Sequence, residues 1–348
     1  MTHSSPAARI RCARERLGNT VALLGHHYQH DDVIQHVDLR GDSLELARQI
    51  PCLEAQHIVF CGVFFMAESA AILAEPGQHA YIPHTAAHCV MAQMAPAALL
   101  DMVYARLTRG GRTLIPLTYV NSSAAIKAFC GRHGGSVCTS ANARTMLRWA
   151  LNQGDGVLFL PDKNLGLNTA NQLDIPAGKR TVLDIRARGA VLDLAGADQA
   201  DLLLWPGCCA IHNRFKAAHV EAARAAHPHA TIVVHPECTP DVVDAADVAG
   251  STTTIIRAVA EAPDGATVIV GTEVHLVDRL AAQYNATKTV LPLLRSGCAN
   301  MAKITEERLA DQLDALAGNG PAPEPVTVAP DVATPARLAL ERMLAACA

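Results

Sequence analysis

Short apolar or β-branched runs alternate with stretches of helical period along almost the whole chain. Runs at Thr20–Leu24, His57–Cys61, Thr113–Leu117, Gly156–Leu160, Asp201–Trp205, Thr231–Val234 and Ala266–Val270 predict strands. Between them Leu44–Gln49, Pro96–Arg109, Asn142–Asn152, Arg214–Ala226 and Leu276–Tyr284 predict helices. This alternation predicts an α/β protein, with parallel sheets covered by helices on both faces. The arginines at 9, 11, 14 and 16 sit in a predicted first helix. The proline-rich stretch Gly318–Pro335 reads as an extended linker before a last amphipathic helix, Ala336–Ala346.

The residues just past each predicted strand are more informative than the strands themselves. The first strand leads into Gly25-His26-His27-Tyr28-Gln29 and the second into Gly62 and Phe65-Met66-Ala67-Glu68. The third ends in Thr118-Tyr119-Val120-Asn121-Ser122-Ser123 and the fourth in Pro161-Asp162-Lys163-Asn164. The last three end in Pro206-Gly207-Cys208-Cys209 with His212 beyond, in His235-Pro236-Glu237-Cys238, and in Gly271-Thr272-Glu273. Open α/β sheets bind ligands at the carboxyl ends of their strands. Polar, titratable residues recurring there point to a site, or to several that converge.

Composition narrows the class. At 348 residues the chain is long enough for two or three domains. With 50% hydrophobic and 18% charged residues it is not a disordered protein. A net charge of −4 with no basic stripe argues against a nucleic-acid partner. The best apolar run, Ile58–Ala74, is too short to span a bilayer and contains Glu68, and the N-terminus lacks the apolar core of a secretory signal, so a cytoplasmic enzyme is expected. Neither G-x-G-x-x-G after the first strand nor a P-loop is present, which disfavours a nucleotide enzyme of either type. The eleven cysteines are spread out and odd in number, which predicts reduced thiols rather than a disulfide framework.

Three cysteines share a context. Cys89, Cys209 and Cys298 each lie in a loop beyond a predicted strand and before a predicted helix. They read either as ligands of one soft metal centre or as unrelated loop cysteines, because no pair makes the C-x₂-C spacing of a zinc ribbon or a bacterial ferredoxin. His26, His212 and His235, with Tyr28, Tyr119 and Glu237, form the inventory of a general acid/base pocket. The strings Gly41-Asp42-Ser43, Asn121-Ser122-Ser123, Thr139-Ser140-Ala141-Asn142 and Gly250-Ser251-Thr252-Thr253 each precede a predicted helix. They read as N-caps, or as anion sites in which hydroxyls and backbone N–H groups hold a substrate with more than one acidic group.

Taken in order, these strings resemble the quinolinate synthase family. The resemblance is carried by His26-His27-Tyr28-Gln29, Gly41-Asp42-Ser43-Leu44-Glu45-Leu46-Ala47, Phe65-Met66-Ala67-Glu68 and Tyr119-Val120-Asn121-Ser122-Ser123. It continues through Cys138-Thr139-Ser140-Ala141-Asn142, Leu160-Pro161-Asp162-Lys163-Asn164-Leu165-Gly166, Trp205-Pro206-Gly207 with Cys209 and His212, and His235-Pro236-Glu237-Cys238. Gly250-Ser251-Thr252, Gly271-Thr272-Glu273 and Cys298-Ala299-Asn300-Met301 close it, so that it spans about residues 20 to 310. The resemblance implies three similar three-layer α/β domains with small parallel sheets around a pseudo-threefold axis. The implied domains are 1–88 (with 300–348 packing back on it), 89–190 and 191–299. It also implies a [4Fe–4S] cluster on Cys89, Cys209 and Cys298 with the fourth iron open, and Met301 packed near it.

The implied reaction condenses iminoaspartate with dihydroxyacetone phosphate to quinolinate on the route to NAD, with the open iron as Lewis acid and an iminoaspartate-producing enzyme as functional neighbour. By the same resemblance, His26, Tyr28, Ser43, Tyr119, Asn121, Ser140, His212, His235, Glu237, Ser251 and Thr252 line the substrate pocket. Tyr28, Tyr119 and Glu237 are the foremost proton carriers, with His26, His212 and His235 beside them. The chain departs from the family around the first cysteine, where Ala87-His88-Cys89 and Met91-Ala92-Gln93 replace Ala-Gly-Cys and Met-Ala-Asp. Residues Cys130–Gly135 read as a short surface insertion. Alternatives are another [4Fe–4S] hydro-lyase acting on a small di-acid, a zinc protein using His212, His235 and Cys238, and a metabolite-binding module without turnover.

Overall fold

A computed structural model describes residues 5–347. Thirteen strands form three sheets among these residues, and every pairing is parallel. The first sheet contains β1 (Val21–His26), β2 (Leu39–Gly41), β3 (His57–Cys61) and β4 (His79–Tyr81), in the order β2-β1-β3-β4. The second contains β5 (Leu114–Tyr119), β6 (Ser136–Cys138), β7 (Gly156–Leu160), β8 (Arg180–Val182) and β9 (Leu202–Leu204), ordered β6-β5-β7-β9-β8. The third contains β10 (Thr231–Val234), β11 (Val248–Ala249), β12 (Thr267–Gly271) and β13 (Thr289–Pro292), ordered β11-β10-β12-β13.

The first and third sheets therefore share one strand order. The second differs by a single strand, β9, set between β7 and β8. This repeat is structural and leaves no trace in the sequence. The central strands β1, β5 and β7 are buried at every position, as parallel strands covered on both faces must be.

The described residues divide into two compact units. One comprises residues 5–89 and 297–329 and holds the first sheet; the other comprises 90–296 and 330–347 and holds the second and third. In the first unit, helix Pro6–Leu17 packs on helix Glu306–Leu316. There Arg9 forms ion pairs with Glu307, Asp311 and Asp314. In the second, helix Lys163–Gln172 leaves the end of β7 and meets the tip beyond β10.

Three expectations are corrected. First, the closing helix runs from Pro330 to Ala346 and so begins inside the predicted linker. It packs on Ala124–Arg132 beside the second sheet, not on the first domain. Ser136 Oγ donates to Ala339 O at 3.0 Å, and Arg342 donates to Gly131 O and Gly135 O. Of the expected span 300–348, residue 348 lies outside the described residues, as do residues 1–4 of the first expected domain. Second, β9 belongs to the second sheet, so a third domain cannot begin at 191. Third, Cys130–Gly135 lies only partly at the surface: Arg132, His133 and Gly134 are exposed, but Cys130, Gly131 and Gly135 are buried, with Gly131 against the closing helix.

Gly131 shows how closely that helix approaches. A Cβ there would lie 1.8 Å from the carbonyl oxygen of Pro335. Backbone cannot yield as a flexible side chain can, so Gly131→Ala is expected to lower the stability of the second unit. Overpacking of this kind costs about 1–3 kcal/mol, read as a fall in the thermal midpoint.

Among the described residues no helix is long and apolar enough to cross a membrane.

Candidate active site

The strand tips hold their side chains by a local device that occurs twice. At the end of β1, the N–H of Tyr28 donates to His26 Nδ1 at 3.1 Å; just past β10, the N–H of Glu237 donates to His235 Nδ1 at 3.3 Å. At both tips a glycine carbonyl of the neighbouring strand completes the last ladder bond, Gly41 O for His27 N and Gly271 O for His235 N. An Nδ1 that accepts from backbone fixes the neutral tautomer, leaving the proton on Nε2. In each ring Nε2 is then the donor nitrogen. Burial and the neighbouring His212 push the His235 pKa down to about 3, against the pull of Glu237, so His235 stays neutral at working pH.

The second unit contains the densest cluster. His212 Nδ1 lies 2.6 Å from Glu237 Oε2, and its Nε2 lies 3.1 Å from Thr272 Oγ1. The Tyr119 hydroxyl also hydrogen-bonds the Glu237 side chain. His212 and His235 stack with ring centroids 4.3 Å apart. All five residues are buried. They come from β5, the loop after β9, the tip after β10 and the tip after β12, so four segments far apart in sequence converge. Burial opposes charge on Glu237, but the two imidazoles and the Tyr119 hydroxyl outweigh it and hold the carboxyl at about 2. Glu237 is thus the ionised member of the group. Asp162, buried nearby, is pushed the other way by burial and by the Glu237 charge.

Cys209 belongs to this cluster. Its Sγ and one ligand atom each of His212 and Glu237 all lie within 4.8 Å of one another. The expected zinc set of His212, His235 and Cys238 is not assembled. Cys238 is fully buried with its thiol toward Gly271 O, and burial raises its pKa.

The helix-start strings resolve into caps and residues beside the caps. Asp42 forms a capping box with Glu45, Ser123 accepts from Ile126 N, and Ser251 accepts from Thr254 N. Asn142 Oδ1 accepts from Thr139 N at 2.6 Å, which closes the turn carrying Ser140. Ser43 and Asn121 are thus not the capping residues. Asn121 Oδ1 is buried without a hydrogen-bond partner among the described residues, as is Ser122 Oγ. An orphaned acceptor at a strand tip suits a group that awaits a ligand donor.

In the first unit, His26 meets Tyr28 edge-on at 4.7 Å, and His27 Nε2 lies 3.7 Å from Glu45 Oε2. Cys89 and Cys298 also lie here. Lys303 Nζ donates to Ala86 O at 2.9 Å, which ties the segment after Cys298 to the one before Cys89. The exposed His88 packs against Phe64, ring centroids 4.9 Å apart. Cys61, Cys130, Cys138 and Cys238 are buried, Cys12 and Cys52 are exposed, and Cys89, Cys208, Cys209, Cys298 and Cys347 are partly exposed. Cys89, Cys209 and Cys298 each lie in a loop before a short helical turn. Accessible loop sulfurs are the donors an iron–sulfur cluster requires, so these three fit such a group on chemistry and exposure.

Sequence reasoning gave no role to Thr272, Asp162, Asn164 or Asn168. The first was visible as a strand tip. The asparagines occupy positions 164 and 168, one helix turn apart on one face, which was the available signal.

The family described as quinolinate synthetase A protein matches residues 8–345. The quinolinate synthase of Corynebacterium glutamicum is 45% identical over 341 residues, covering 97% of this chain and 86% of that protein. That of Halalkalibacterium halodurans is 45% identical over 348 residues, covering 99% and 94%. The archaeal one of Haloarcula marismortui is 42% identical over 341 residues, covering 97% and 90%. The strand tips and the three loop thiols all fall inside the matched span, and the chain belongs to the quinolinate synthase family.

Proposed function

We propose that this chain condenses iminoaspartate with dihydroxyacetone phosphate, releasing phosphate and two waters as quinolinate forms. The observation that carries the reading is the buried Tyr119–Glu237–His212–Thr272 hydrogen-bond chain beside the Cys209 thiol. Ring closure with two dehydrations needs groups that take protons from carbon and nitrogen and return them to departing oxygen. An ionised glutamate hydrogen-bonded to a phenol and an imidazole supplies both acceptor and donors. Glu237 would accept a proton, and the Tyr119 hydroxyl and His212 would redistribute it without exposing charge to solvent. Neutral His26 and His235, each with its proton on Nε2, would donate hydrogen bonds to substrate carboxylate or carbonyl oxygens. Asn121, Ser140, Ser43, Ser251 and Thr252 would hold carboxylates and phosphate through amide and hydroxyl groups. Tyr28, whose ring meets His26 edge-on, would offer a second phenol for proton transfer.

Cys89, Cys209 and Cys298 would hold a [4Fe–4S] cluster. When bound, such a cluster with one non-protein coordination position supplies a Lewis acid for a substrate hydroxyl and carboxylate. Family membership and the accessibility of these three thiols support the assignment. A second reading places one zinc ion on Cys209, His212 and Glu237. The 2.6 Å His212–Glu237 contact favours the first, because an ion between those atoms would have to replace that hydrogen bond.

The test is anaerobic purification with iron, sulfide and zinc quantification, followed by incubation with the two substrates. Quinolinate formed in proportion to iron and sulfide is expected. Full turnover by iron-free protein would sink the reading.

A further inference from the structure

We propose that the segment Asp162–Asn168 is a positioning element for the site, its aspartate fixing the Cys209 loop and its two asparagines fixing the tip that carries Glu237. The inference rests on the proposed roles of Cys209 and Glu237 and adds the residues that set both in register.

Asp162 lies two residues past the end of β7 and caps helix Lys163–Gln172. It is fully buried, and its two oxygens do different work. Oδ1 caps the helix, accepting from Asn164 N at 2.8 Å and Leu165 N at 3.1 Å. Oδ2 accepts from Cys209 N at 3.1 Å. The same loop is held from the other side, where Lys163 N donates to Gly207 O at 2.9 Å. Gly207 allows this approach, since a Cβ there would lie 2.5 Å from Pro161 O. A helix cap requires one oxygen, and asparagine serves as well as aspartate. What asparagine cannot do is accept at both positions. With its oxygen on the cap, its NH₂ would face the Cys209 N–H, donor against donor in a buried site. An aspartate rather than an asparagine at 162 is therefore explained by the Cys209 amide and not by the helix.

Asn164 and Asn168 serve the other side. Asn168 Nδ2 donates to Pro236 O and Cys238 O, both at 2.8 Å, and Asn164 Nδ2 donates to Glu237 O at 3.3 Å. Three consecutive carbonyls of the turn after β10 are thus held by two amides one helix turn apart. A turn beyond a sheet has no ladder to satisfy its carbonyls, so these amides replace it and fix the direction in which Glu237 leaves the backbone. Asn168 Oδ1 is buried with no hydrogen-bond partner among the described residues. Leaving that oxygen unsatisfied is costly, which indicates that the residue is retained for its two donors. Thiol, imidazole and carboxylate come from different segments, and this one helix start touches the backbone on both sides of them.

The test compares anaerobically reconstituted Asp162→Asn, Asn168→Ala and Cys209→Ser enzymes with wild type. Three readouts are taken: iron release to a chelator, thermal midpoint of the apoprotein, and steady-state kinetics. Asp162→Asn keeps its cap, so the apoprotein midpoint should hold while iron is released about tenfold faster, the effect of leaving the buried Cys209 N–H facing a donor instead of an acceptor. Asn168→Ala should keep its iron and its KM while kcat falls about 10- to 100-fold, because a small misplacement of a reacting group is enough for that loss. If Asp162→Asn does not fold, Asp162→Ser caps with a hydroxyl too short to reach Cys209 and should release iron equally fast. Wild-type iron release in the Asp162 variant, or an Asn168 variant whose kcat falls only with its iron or its midpoint, overturns the positioning role. A Cys209→Ser enzyme that retains all its iron overturns the ligand assignment, and the Asp162 argument falls with it.

Discussion

Cys209→Ser enzyme, purified without oxygen and reconstituted with iron and sulfide, is expected to retain little iron and to form quinolinate only at background. Cys89→Ser and Cys298→Ser should behave alike. Thiolate is the ligand iron–sulfur clusters use, and a serine hydroxyl at the same position is a harder and far less acidic donor. The controls carry equal weight. Burial pushes the Cys61 thiol up to about 12 and the Cys130 thiol to about the same value, so neither offers a thiolate near neutral pH. Their replacement by alanine should leave iron content intact.

Cys208 is the sharpest control, because it is partly exposed and adjacent to Cys209. Its N–H is directed at Met94 Sδ, and burial raises its thiol pKa, whereas the Cys209 N–H is fixed by Asp162. Iron analysis of Cys208→Ser should therefore match wild type. Loss of iron from that variant alongside full retention in Cys209→Ser would show that the loop presents the other thiol.

The long buried strands and the chemistry at their ends were legible because two simple signals coincide there. A strand such as Gly156–Leu160 is a continuous apolar run, and the residues just past it are polar. The short edge strands were not legible. Leu39–Gly41, His79–Tyr81 and Val248–Ala249 have two or three residues each and incomplete burial, so no period can develop within them. The same limit hid the placement of β9, since a strand's sheet is decided by pairing and not by composition. The closing helix starts earlier than its sequence suggests: proline normally stops a helix, yet Pro335 lies inside this one, which packs on Ala124–Arg132.

In the site, His212, His235, Glu237 and Tyr119 were nameable from the sequence, but the bonds between them were not. His212 to Glu237 spans 25 residues and His212 to Thr272 spans 60, distances over which sequence patterns carry no geometric information. Asp162 illustrates a different limit. Its cap was predictable from the helix it begins, while its second oxygen faces a loop 47 residues away.

Glu237→Gln is expected to retain its iron and bind both substrates with little change in KM, while kcat falls about 10²- to 10⁴-fold, the range for loss of a general base. The substitution keeps shape and removes charge. It also places an amide between His212 Nδ1 and the Tyr119 hydroxyl, so only one of its two polar atoms can still accept. Tyr119→Phe removes the other end of the same chain and keeps the ring, which is buried at the end of β5. If the phenol redistributes the proton held by Glu237, Tyr119→Phe should lose kcat to a comparable degree. The double variant should then lose little more than either single one, because groups that act as a unit are not additive. If Tyr119 only walls the pocket, Phe serves as well and turnover stays near wild type with the cluster in place. Single-turnover measurements normalised to iron content separate the two outcomes. A double variant whose loss is the product of the single losses would show that the two side chains act independently, despite their hydrogen bond.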